Sequence, residues 1–119
     1  MRTILSITKA LNDQTRLRML LVLAHGELCL CQLVELFGLA PSTISKHLNI
    51  LYDSNLVTRR REGKWAYFGL VGRGASPEVK RAIQFVSEGL KGDPQVFQDE
   101  KRLKKVLKKD LKELCGCYS

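Results

Sequence analysis

Hydrophobic positions in the first 55 residues recur every three to four residues, in blocks separated by turn-forming residues. Ile4, Ile7 and Leu11 lie at helical spacing and predict a first helix over about Thr3–Leu11. Asn12 and Asp13 then supply N-cap chemistry for a second helix running to about Leu23, before His25-Gly26 breaks the pattern. A short third helix, roughly Cys31–Phe37, closes at Gly38, which suits a left-handed C-terminal cap. Leu39-Ala40-Pro41 makes a turn. Pro41 opens a fourth helix through about Ser54, where its missing N–H costs nothing. Ile44, Leu48 and Leu51 form the buried stripe of that helix.

From Leu56 the period changes. Leu56–Arg61 and Lys64–Leu70 are rich in β-branched and aromatic residues, and Glu62-Gly63 between them predicts a β-hairpin. Gly72, Gly74 and Pro77 mark a linker. Val79, Ile83, Val86 and Leu90 then fall on one helical stripe. After Gly92-Asp93-Pro94 one final helix is expected, carrying Val96, Leu103, Leu107, Leu111 and Leu114. Two amphipathic helices outside the central block need a covering surface, and a second copy of the chain is the simplest.

Composition narrows the function classes. At 119 residues, with 45% hydrophobic and 27% charged side chains, the chain fits one globular domain. The longest apolar run, Met19–Ala24, is too short to span a bilayer, and no leader pattern opens the chain, so a cytoplasmic protein without a membrane partner is expected. No nucleotide loop, histidine pair or carboxylate cluster points to an enzyme. Net charge is +8, which favours a polyanionic partner. Residues 40–75 carry six basic side chains against two acidic ones, the most one-sided segment, and phosphate contacts are expected there.

Two short helices joined by a tight turn and followed by a basic hairpin make the winged helix-turn-helix arrangement. A helix of this kind places its early residues against base edges while flanking cations hold phosphates. The fourth helix offers Ser42, Thr43, Ser45, Lys46, His47 and Asn49 away from its apolar stripe. The hairpin offers Arg59, Arg60, Arg61 and Lys64, suited to phosphates or a minor groove. His47 fits contact with DNA and packing against a neighbouring helix equally. Trp65, Tyr67 and Phe68 read as hairpin core. Arg16 fits either phosphate contact or an internal pairing with Asp13; Arg18 is a further candidate for phosphate. The expected fold is mainly α with a β-hairpin wing (α+β), one domain over residues 1–119. About 12–71 form the DNA-binding core, and 1–11 and 76–119 supply dimerisation helices and a C-terminal tail.

The four cysteines fall as two C-x-C pairs, Cys29/Cys31 and Cys115/Cys117. In a reducing cytosol such pairs point to metal or redox chemistry rather than structural disulfides. Thiolates are soft ligands that select As(III), Cd(II), Pb(II), Zn(II) or Cu(I) over hard cations. Helical residues two apart point in nearly opposite directions, so joint chelation requires Cys29 to leave helical geometry where the third helix starts. Such capture strains the helix beside the fourth helix and favours a state that fits DNA poorly. The bland alternative for Cys29 and Cys31 is a pair of small buried residues, and for the second pair unused thiols at a frayed end.

Several segments, covering roughly residues 10–70, resemble the arsenic-repressor (ArsR/SmtB) family. Leu11-Asn12-Asp13-Gln14-Thr15-Arg16-Leu17 is similar to its entry into helix two, and Glu27-Leu28-Cys29-Leu30-Cys31-Gln32-Leu33 to its thiolate metal box. Ser45-Lys46-His47-Leu48-Asn49-Ile50-Leu51, then Leu56-Val57 and Arg61-Glu62-Gly63-Lys64, resemble its recognition helix and wing. The resemblance implies a repressor that binds double-stranded operator DNA as a homodimer through its first and last helices. It further implies release on capture of As(III) or Sb(III). The chain departs from the fullest arsenic-sensing pattern, because Val34 stands where a third cysteine would fall. Cys115 and Cys117 are then candidates for the missing ligand, with His25 a weaker one. All four sulfurs together suit Cd(II), Pb(II) or Zn(II) better, and thiol oxidation is an alternative trigger. No histidine follows His47, so the family's other zinc-type site on the C-terminal helix looks absent.

Overall fold

A computed structural model describes residues 1–116, including all side chains in that range but those of residues 112, 115 and 116. Helix α1 (Arg2–Leu11) buries Ile7 and Ala10 and leaves Ile4 and Leu5 exposed. Asp13 caps α2 (Gln14–Leu23), its side chain accepting from the Arg16 N–H at 3.1 Å. A two-residue strand β1 (Leu28–Cys29) leads directly into α3 (Leu30–Phe37). Gly38 ends α3 at φ +66°, a left-handed conformation that glycine adopts without a Cβ clash. Helix α4 (Pro41–Asp53) starts on its proline and buries Ile44, Leu48 and Leu51 completely.

Strands β2 (Val57–Glu62) and β3 (Trp65–Leu70) pair antiparallel, with Glu62 opposite Trp65. The turn is therefore Gly63-Lys64, one residue later than the sequence pattern places it. Gly63 carries the positive φ of 60° that the tight connection needs. Strand β1 adds to the other edge of β3, giving the order β1-β3-β2. The hairpin is thus part of a three-stranded sheet. A two-residue strand has no period to read, which is why the sequence pattern does not show it.

Helix α5 (Pro77–Gly89) is capped by Ser76 and buries Val79 and Val86. The expected single last helix is two, α6 (Pro94–Leu107) and α7 (Leu111–Gly116), broken across residues 108–110. Leu107, expected on the buried stripe, is 53% exposed, while Val106 takes the inward position with Leu103. Both helices fold back within the chain: α6 packs on α2 and α3, and α7 on α3. Leu103 and Val106 of α6 are accordingly covered within one protomer, while Phe97 and Leu107 of the same helix stay exposed. Phe85 on α5 and Ile4 and Leu5 on α1 remain exposed. Among the described residues no helix is long and apolar enough to cross a membrane.

The α6 interface is also polar. Asp99 is buried and takes both Arg18 Nε and Nη2 at 2.8 Å, while Arg18 lies over the Phe37 ring at 5.0 Å. That carboxylate raises the Arg18 pKa above its ordinary value. Arg18 is thus committed within the fold rather than presented to a phosphate. Arg16 is likewise buried, and of its two readings the side-chain pairing with Asp13 is not the one it makes. Its guanidinium donates to the Ala10 and Lys9 carbonyls at 2.7 and 3.1 Å, because the last carbonyls of α1 need donors.

Candidate functional site

The stripe of Ile44, Leu48 and Leu51 turns the other side of α4 outward. Ser42, Lys46 and Asn49 are exposed there, with Thr43 and Ser45 half-buried beside them. His47 points inward instead: its Nδ1 lies 3.1 Å from Arg16 Nη1 and 3.8 Å from Asp13 Oδ2. Of the two readings of His47, the geometry matches packing against the α1–α2 junction.

Ser45 shares a groove with Arg59, Arg60 and Arg61 of β2 and Phe68 of β3, so helix and wing converge on one basic concavity. The arginines differ in their surroundings. Arg59 lies over the Tyr52 ring at 4.1 Å. Arg61 and Lys64 are exposed at the end of the wing. Arg60 is held by Glu27, its Nη2 2.7 Å and its Nε 2.9 Å from Oε1, and it reaches Glu62 at 3.1 Å. Both carboxylates raise its pKa, Glu27 most. Arg60, expected to meet phosphates or a minor groove, is tied to Glu27 and so braces the wing against the segment before β1. Glu27 carries no local sequence signal for that role, since 33 residues separate the partners.

The first thiol pair sits where α3 begins. Cys29 is extended (φ −74°, ψ 151°), 1% exposed, and paired in β1 with Tyr67 of β3. It has left helical geometry at the start of α3, as a chelating C-x-C pair requires. It is also the N-cap of α3. Its sulfur accepts from the Gln32 N–H, and Gln32 Oε1 accepts from the Cys29 N–H at 2.8 Å. Gln32 is a residue the sequence reading missed, though its spacing three residues after the cap is that of a capping box. Burial raises the Tyr67 phenol pKa, and the adjacent Cys29, Glu62 and Glu27 reinforce the shift against Arg60.

Cys31 is buried and disulfide-bonded. The expectation of metal or redox chemistry rather than a structural disulfide is not met at this residue. The side chain of Cys115 and all of Cys117 lie outside the described residues, so the second pair is not placed. A disulfide sulfur is no thiolate donor, and a soft ion at this position requires the reduced form. Among the described residues no group of three or more His, Cys, Asp or Glu is placed to hold a metal. Cys29 and Cys31 therefore fit a thiophilic ion only if a further sulfur joins them. His25 is engaged elsewhere, 3.6 Å from Glu100 on α6.

A helix-turn-helix whose second helix shares a basic groove with a hairpin wing defines a winged-helix regulatory protein. Residues 13–59 match the model of the arsR family of bacterial regulatory proteins. The chain belongs to that family. It is 41% identical over 94 residues to the arsenic resistance transcriptional regulator ArsR1 of Pseudomonas putida, covering 76% of this chain and 70% of that protein. It is 44% identical over 63 residues to the arsenical resistance operon repressor of Bacillus subtilis, covering 52% of this chain. That match spans 60% of the Bacillus protein's length. Among solved structures, the homodimeric winged helix-turn-helix DNA-binding domain Mb0332 of Mycobacterium bovis aligns with a TM-score of 0.62 at 27% identity, over 84% of this chain and 82% of that one. The antimony-specific transcriptional repressor AntR aligns with a TM-score of 0.59 at 28% identity, over 77% and 80%. These proteins are regulators, not enzymes.

Proposed function

We propose that this chain is a transcriptional repressor that binds double-stranded operator DNA as a homodimer and releases it when As(III) or Sb(III) is captured by cysteine thiolates. The observation that carries this reading is the position of Cys29. It caps α3, the helix that packs on α4, and lies in the same sheet as the wing. One sulfur position thus adjoins both the helix that supports α4 and the sheet that carries the wing.

In this reading Ser42, Thr43, Ser45, Lys46 and Asn49 face base edges or adjoining phosphates, while Arg59, Arg61 and Lys64 grip phosphates. The exposed Ile4, Leu5 and Phe85 lie on the faces of α1 and α5 that a second copy would cover. Cys29 and Cys31 supply two donors for the metalloid, with Cys115 or Cys117 the source of a third. As(III) and Sb(III) bind thiolates through three short covalent-like contacts, which suits such a set. The arsenic-resistance regulators among the relatives and the antimony-specific repressor among the neighbours support this choice of inducer.

A second reading rests on the disulfide at Cys31: thiol oxidation, rather than metalloid capture, as the trigger. Operator titration of fully reduced protein with arsenite, antimonite or Cd(II), and separately with peroxide, divides the two. Arsenite- or antimonite-driven release that is lost in Cys29→Ser and Cys31→Ser supports the proposal. Release by peroxide alone selects the redox trigger, and release by Cd(II) alone selects a four-sulfur site. Absence of preference for any promoter fragment defeats both triggers.

A further inference from the structure

The sheet register joins the thiol to the wing. Cys29 is paired with Tyr67, and Tyr67 with Arg60, so the three residues form one row across β1, β3 and β2. Directly paired residues of antiparallel strands project from the same face. The Arg60 guanidinium lies over the Tyr67 ring at 4.5 Å. Glu27, two residues before Cys29, projects on that face as well. Its stem passes over Gly69, where a Cβ would stand 3.7 Å from Glu27 Cγ. Its carboxylate then grips the Arg60 fork at 2.7 to 3.0 Å. A side chain that crosses β3 to hold β2 fixes the wing relative to β1, and β1 is where the sulfur resides.

Two of the wing arginines therefore serve different ends. Arg61 stands exposed at the far end of β2, whereas Arg60 already has its charge matched by carboxylates. We infer that Glu27 and Arg60 are a positioning pair that transmits the state of the Cys29 thiol to the wing, an inference that rests on the repressor reading above. Displacement of β1 when the sulfur is engaged moves Glu27 and, through its two-pronged grip, shifts the angle at which Arg61 and Lys64 meet DNA. Lysine cannot reproduce that grip, because its ammonium is a point charge rather than a fork.

The test uses the full-length reduced protein and an operator fragment, with Glu27→Gln, Arg60→Gln and Arg60→Lys compared with wild type. Two quantities are read: the salt slope of DNA binding without metalloid, and the ratio of affinities without and with arsenite. The expected result is a ratio reduced about 3- to 10-fold in all three variants, toward the lower end of what coupled side chains in one network give. In Arg60→Gln and Arg60→Lys the salt slope stays at its wild-type value. The double variant Glu27→Arg/Arg60→Glu is expected to recover part of the ratio. A slope lowered by about 0.9 per protomer in Arg60→Gln, with the ratio intact, makes Arg60 a phosphate ligand and overturns the inference. A wild-type ratio in Glu27→Gln also overturns it while leaving the repressor reading in place. If wild type itself ignores arsenite, the metalloid-triggered reading falls and takes this inference with it.

Discussion

Replacing Asp99 with alanine tests whether α6 is locked onto α2 and α3 or merely leans on them. The carboxylate is 3% exposed and accepts three hydrogen bonds, two from Arg18 at 2.8 Å and one from Gln95 Nε2 at 3.0 Å. Removing one member of a fully buried ion pair costs about 3–5 kcal/mol, because the other charge is left without a partner. The Arg18 side chain keeps 22% of its surface in water, so part of that loss is recovered. A cost of about 2–3 kcal/mol is expected, which lowers Tm by roughly 8–12 °C for a chain of this size. Thermal unfolding followed by circular dichroism under reducing conditions measures it. The double variant Arg18→Met/Asp99→Leu should lie near wild type, since an apolar pair of similar volume carries no stranded charge. If Asp99→Ala shifts Tm by less than about 2 °C, the ion pair is not what holds α6, and the apolar contacts of Leu103 and Val106 alone do so.

Three further outcomes follow from the interface geometry. Arg61→Ala should weaken binding to every DNA sequence and lower the salt slope by about 0.9 per protomer; a loss confined to one operator contradicts the phosphate role. Thr43→Ala or Ser45→Ala should leave the slope alone and relax base preference by about 1–3 kcal/mol at one position, measured by competition among single-base-pair operator variants; unchanged preference removes that residue from base reading. Gln32→Ala deletes the acceptor of the Cys29 N–H and should cost about 1 kcal/mol in urea unfolding, the usual value of a helix cap. A wild-type midpoint would show that water replaces the cap.

The core of the fold was legible because its signals are local. Ile44, Leu48 and Leu51 mark α4 by spacing alone, and Pro41 and Gly38 mark where helices start and stop through their own backbone restrictions. The extended backbone at Cys29 was legible too, since the helical pattern of α3 starts only after it. What was hidden depends on partners distant in the chain. Arg18 meets Asp99 across 81 residues and Arg60 meets Glu27 across 33. Nothing in either neighbourhood names the other. The break between α6 and α7 was masked because Lys108 and Lys109 continue a helix-favouring composition and Leu107 keeps the apparent stripe in phase.

Because Cys29 both caps α3 and is the proposed donor to the metalloid, the replacement chosen to silence it decides what an experiment reports. Alanine would abolish chemistry and cap together, and a weakened scaffold helix would then imitate a sensing defect. Serine places an oxygen where the sulfur accepts the Gln32 N–H and is itself a favoured cap. It separates the loss of thiol chemistry from the loss of helix support.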